Sequence, residues 1–134
     1  MDERIELSKE ADLYTATLRC RDFALRAGLD QVRAQKLATA ASELTRNVHK
    51  YAGGFGTVRL SLNHDAARTW LELEVSDCGP GITDLESAMR DHYSTSGTLG
   101  LGLPGVKRLV DDFTITSSPG QGTRVLVRMR CRPT

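Results

Sequence analysis

One apolar stripe constrains this 134-residue chain more than any other feature. Leu37, Ala41, Leu44, Val48 and Tyr51 recur at alternating steps of four and three, the spacing of a single helix face. Asp30 stands where an N-cap belongs, because its carboxylate can accept a backbone amide of the first turn. The glycines of AGGFG end the helix after Tyr51. A long helix with one apolar face needs a second layer to bury that face, and period-two segments supply it. Strands are expected at residues 4–8, 57–62, 69–77, 113–117 and 123–130. NHDAA reads as the turn between the second and third, and SPGQG as the hairpin turn between the last two.

Further helices are expected at residues 11–27, 85–92 and 103–112. In the first, Leu13, Ala16, Cys20, Phe23, Ala24 and Ala27 keep helical spacing as far as Gly28. Pro104 near the start of the last suits a first turn, where a missing amide is no loss. The order β, α, α, β, β, α, α, β, β predicts an α+β sandwich, with helices on one face of a mixed, mainly antiparallel sheet. A chain of this length builds one core, so a single domain over residues 1–134 is expected.

With 40% hydrophobic and 26% charged residues the composition is that of a soluble globular protein. The net charge of +1 is interleaved along the chain and leaves no electrostatic footprint for nucleic acid or an acidic membrane. Cys20, Cys78 and Cys131 are odd in number and far apart, which fits a reducing cytoplasm and neither a disulfide framework nor a zinc site. No apolar run approaches membrane-spanning length, and the acidic MDERIEL start is unlike a signal peptide, so a cytoplasmic location is expected. His49, His64 and His92 have no ligand or triad spacing and are expected at the surface or at element edges. Trp70 and the tyrosines are expected in packing.

Four local features carry chemistry. Glu43 and Asn47 lie one turn apart on a flank of the apolar stripe. They are either an ordinary polar pair at a helix edge or a pair able to serve a metal and a proton transfer. Asp77 shares its parity with Leu71, Leu73 and Val75, so a carboxylate faces the core at a strand end. A carboxylate there needs a partner, found either in its own turn or in a ligand amino group, with Gly79 and Gly81 leaving room for a flat ring. Gly97, Gly100 and Gly102 precede a helix and suit backbone amides wrapped around phosphate. That loop lacks the lysine and Ser/Thr of a P-loop and does not follow a strand as a Rossmann loop does. Gly120, Gly122 and Thr123, taken alone, are a hairpin turn.

In this order, ExxxN on a helix, DxGxGI, GxxGxGL before a helix and GxGT in a terminal hairpin, the chain resembles the GHKL (Bergerat-fold) ATPases over nearly its whole length. The resemblance implies ATP and Mg2+ as cofactors, with an ATP lid at about residues 83–102. It implies nucleotide contacts from Asn47, Asp77, Gly79, Gly81, Ile82, Gly97, Gly100, Leu101, Gly102, Leu103 and Thr123. Asn47 would hold the metal, Asp77 would accept from the adenine amino group with Thr123 in support, and Glu43 would be the catalytic base. Arg46, Arg90 and Lys107 stay open as the cation for the γ-phosphate.

The length argues against gyrase-, Hsp90- and MutL-type members, and residues 1–36 hold no histidine for a sensor kinase's phosphoacceptor. SELTRN, YAGGFG and YSTSGTLGLGLPGVKRLVDDF are most similar to the stressosome switch serine/threonine kinases of the RsbT type. This implies phosphoryl transfer to a Ser/Thr of a STAS-domain antagonist (RsbS-like), alone or in a larger STAS assembly. Release would then activate a PP2C-type phosphatase (RsbU-like). Two alternatives stand beside it: an anti-sigma-factor kinase of the RsbW/SpoIIAB type, which also sequesters a sigma factor, and a nucleotide-gated adaptor without kinase activity.

Overall fold

Each apolar period in the sequence becomes one face of a two-layer sandwich. The computed structural model describes residues 2–81, 89 and 102–131. Strand β1 (Asp2–Leu7) leads into helices α1 (Ala11–Arg26) and α2 (Gln31–Tyr51), followed by β2 (Gly56–His64), β3 (Thr69–Asp77), α3 (Gly102–Leu109), β4 (Asp112–Ser118) and β5 (Gly122–Cys131). The Asp30 carboxylate accepts the Arg33 amide at 2.8 Å and caps α2 as expected. The helix expected at residues 85–92 lies, apart from Met89, outside the described residues.

The strands form one sheet in the order β1-β2-β3-β5-β4. All four pairings are antiparallel, so the sheet expected to be mixed has no parallel pair among the described strands. The two hairpins are antiparallel by construction, and β5 lies between β3 and its own partner β4. The core face carries Val58, Leu60, Leu71, Leu73, Val127 and Met129, all essentially inaccessible. Phe23 from α1 and Leu37 from α2 close over them, also fully buried. Burying a side chain of this size contributes about 1.5–3 kcal/mol relative to leaving it exposed.

The opposite face of the sheet is polar and cross-linked. Arg128 pairs with Glu72 at 3.0 Å and Arg124 with Glu74 at 2.7 Å. Trp70 belongs to this face by parity and packs there instead of in the core. The Arg128 guanidinium lies 4.2 Å from its ring centroid, and its indole N–H donates to Asp65 at 3.0 Å. Tyr14 and Tyr51 are 68% and 52% exposed, contrary to a packing role.

Helix α3 stops at Leu109, three residues before its expected end, because Asp111 is drawn into a clip. Its carboxylate accepts from the Arg33 guanidinium at 2.7 Å and from the Arg130 amide at 2.8 Å, tying α2 and β5 to the turn before β4. Partial burial pushes this carboxyl upward, but the Arg130 amide, the Arg130 side chain and the Arg33 charge outweigh it and hold its pKa below the ordinary 3.8. A lowered folded-state pKa stabilises the fold above the unfolded value, and that stability is lost as pH falls through the folded value. Asp111→Asn should therefore cost about 1–2 kcal/mol at neutral pH. Its deficit against wild type, followed by thermal denaturation, should shrink as the pH drops below 3.8.

Candidate nucleotide site

A cavity of about 380 Å³ opens between the C-terminal half of α2, the end of β3, the start of α3 and the start of β5. Its walls are apolar where α2 meets the sheet: Leu44, Val48, Val75 and Val125 line it. Six of the residues singled out in the sequence line it too, namely Asn47, Asp77, Gly81, Gly102, Leu103 and Thr123. This is a mainly apolar slot with a few placed polar groups, the kind of site that binds a small ligand.

Asp77 is the last residue of β3 and stands in register opposite Thr123 of β5. Its Oδ1 accepts the Gly79 amide at 2.9 Å, the turn contact expected for this carboxylate, and the residue also lines the cavity. The second oxygen, with no hydrogen bond among the described residues, is the acceptor left for a ligand. Thr123 Oγ1 lies 2.8 Å from Ser117 Oγ, and Ser117 donates to the Gly122 carbonyl at 3.0 Å. With Ser117's single proton on that carbonyl, Thr123 is the donor of the hydroxyl pair and keeps its lone pairs. The slot thus ends in two acceptors side by side.

The glycines of the same turn serve close approach. Gly81 has a φ of +79°, and a Cβ there would overlap the Ser118 carbonyl, while the Gly120 amide donates to Pro80 O at 2.7 Å. The turn is thereby pinned to the β4–β5 hairpin. Gly79 does not line the cavity; a Cβ there would lie 2.7 Å from the Ala52 methyl, so its bareness lets α2 approach.

On α2, Asn47 reaches the cavity and Glu43 stands one turn before it, outside the lining, with 12% of its side chain exposed. Arg46 bonds its Oε1 from Nη1 at 3.1 Å. Among the described residues no group of three or more His, Cys, Asp or Glu gathers as a metal cage. One carboxamide oxygen beside an open slot fits Mg2+, which keeps waters and phosphate oxygens as most of its ligands. Of the three cations left open, Arg46 is paired with Glu43, Lys107 is exposed on α3, and Arg90 lies outside the described residues. Ile82, Gly97, Gly100 and Leu101 also lie outside them.

Tyr51 lines the cavity and was missed in the sequence. Its signal was present: it follows Asn47 by one turn, at the end of the apolar stripe that Asn47 flanks. Cys78, directly after Asp77, is exposed, whereas Cys20 and Cys131 are buried. Burial pushes the Cys20 thiol up to about 12 and raises Cys131 as well. A thiol reagent should therefore label one cysteine in the native protein and all three after denaturation, and peptide mapping should find the native label on Cys78.

A helical layer on an antiparallel sheet, with the slot between the long helix and the strand ends, is the architecture of a GHKL-type ATPase domain. The family model described as histidine kinase-like ATPase domain matches residues 7–130, and the chain belongs to that family. It is 40% identical over 121 residues to the serine/threonine-protein kinase RsbT of Bacillus subtilis (strain 168), covering 90% of each chain. It is 32% identical over 98 residues to the anti-sigma F factor of Thermoanaerobacter sp. (strain X514), covering 69% of this chain and 66% of that one. Two solved structures share the fold. The RsbU and RsbW domains of a Mycobacterium tuberculosis protein superpose with a TM-score of 0.69 at 20% identity; all of this chain is covered, and it spans 33% of that one. The mycobacterial sensor histidine kinase MprB gives 0.61 at 18% identity with both chains covered in full. The chain is an ATP-dependent kinase domain of the serine/threonine-protein kinase class. No helix among the described residues is long and apolar enough to cross a membrane.

Proposed function

We propose that this chain is a partner-switching kinase. It transfers the γ-phosphoryl group of Mg-ATP to a serine or threonine hydroxyl of a STAS-domain antagonist and, once released, activates a PP2C-type phosphatase. The reading treats residues 1–134 as one domain with a lid at about 83–102. The observation that carries it is the join of two halves: acceptors Asp77 and Thr123 close the apolar end of the slot, and α2 runs from there past Asn47 to Glu43. Its likeness to a serine/threonine-protein kinase over 90% of both chains supports the same reading.

In this mechanism the adenine amino group donates to the free Asp77 oxygen, and Thr123 offers the neighbouring acceptor. The apolar walls exclude water from the base. Mg2+, when bound, would be held by Asn47 and would offset charge on the phosphate oxygens. The acceptor hydroxyl gives its proton to Glu43 as its oxygen bonds the γ-phosphorus and the bond to ADP breaks. Positioning and electrostatics supply most of the rate.

The test is transfer from γ-labelled ATP to each small STAS protein encoded in the same genome. Label on a serine or threonine of one partner is expected, and ATP binding without label on any partner would leave the adaptor reading. The anti-sigma reading has its own support in the anti-sigma F factor relatives. Recovery of a sigma factor with the purified chain would favour it, and recovery of a phosphatase or a STAS assembly the switch role.

A further inference from the structure

The helix that carries the proposed base also carries a charged partner for it, and the two are unequally exposed. The Glu43 side chain is 12% exposed, while that of Arg46 is 51% exposed. Around α2, at 100° per residue, Asn47 stands at the cavity edge, Glu43 about 40° further round and Arg46 about 60° beyond that. The carboxylate is therefore set between the slot and the guanidinium. A side chain so little exposed needs a hydrogen-bond partner, and among the described residues Arg46 is the one that bonds it, through Nη1 to Oε1 at 3.1 Å. That bond occupies one oxygen and leaves Oε2 to receive a proton.

We infer that Arg46 is a positioning residue for phosphoryl transfer: its guanidinium holds one oxygen of Glu43 and so aims the other at the incoming hydroxyl. The inference rests on the reading of Glu43 as the base. In the transfer step the hydroxyl proton passes to Oε2 while the new O–P bond forms and ADP leaves, and Arg46 gains and loses nothing. The guanidinium, with half its side chain in water, stays paired to the carboxylate while the slot side of Glu43 is left open. A planar fork restricts the carboxylate more than a point charge does, so lysine should serve in its place less well.

The experiment is a mutant cycle on the full chain, reading nucleotide affinity and single-turnover transfer to the STAS partner. Arg46→Met should lower the transfer rate about tenfold with nucleotide affinity unchanged, and Arg46→Lys should recover part of that loss. In an Glu43→Ala background, Arg46→Met should cost nothing further, because a residue acting through Glu43 has nothing left to position. Full transfer by Arg46→Met beside an inactive Glu43→Ala would overturn the inference alone. So would a loss of nucleotide affinity, or additive losses in the double variant, since either shows the guanidinium acting otherwise than through Glu43. Full transfer by Glu43→Ala would overturn the base assignment, and the inference with it.

Discussion

Glu43→Ala should bind ATP as wild type does and transfer its phosphoryl group at least a hundredfold more slowly. Glu43 lies outside the cavity lining, so its removal takes nothing from the slot that holds the nucleotide. A serine or threonine hydroxyl must lose its proton as it attacks, and a placed base contributes about 10²–10⁴-fold to such a step. The expected pattern is an unchanged dissociation constant by calorimetry and a collapsed single-turnover rate. The variant leaves Arg46, half in water, without its partner, which is a small stability loss for an exposed cation. A circular dichroism melt close to wild type would confirm that the defect is chemical. Transfer at the wild-type rate would show that the protons leave by another route.

Asp77→Ala should weaken ATP about ten- to a hundredfold, the loss of one charge-assisted hydrogen bond at roughly 1.5–3 kcal/mol. Asp77→Asn is the sharper variant. Its amide oxygen can still accept from the Gly79 amide, which Asp77 Oδ1 does at 2.9 Å. The free acceptor, however, becomes an NH2 donor and meets the adenine amino group donor to donor. A guanine presents a carbonyl at that place, so the same change should narrow or reverse the preference for ATP over GTP. Titration of both nucleotides into wild type and the Asn variant measures this directly. An unchanged ATP affinity in Asp77→Ala would remove Asp77 from the site.

Much of this site was legible in the sequence because its parts are local. Period two alone put Asp77 on the face of Leu71, Leu73 and Val75, and the 3.6-residue period put Asn47 on the flank of the stripe that lines the slot. Other features depend on contacts distant in sequence. Gly81 reads as room for a ring, yet its bareness is needed by the Ser118 carbonyl of another hairpin. Period two also puts Trp70 on the polar face, but nothing local shows that Arg128, from another strand, covers its ring there. Asp111 reads as the end of a helix and is a clip between α2 and β5, whose residues Arg33 and Arg130 lie on either side of it in the chain.

The sequence by itself determined the eight described elements, their order, the α+β class and the four motifs, since spacing, caps and turn residues act within a few residues of one another. The tertiary structure alone decided that β5 lies between β3 and β4, which puts Thr123 across from Asp77. It also turned Tyr51 into the slot and set Glu43 between Asn47 and Arg46 in unequal exposure. Strand pairing and burial depend on which distant surfaces meet, and no local period encodes that choice.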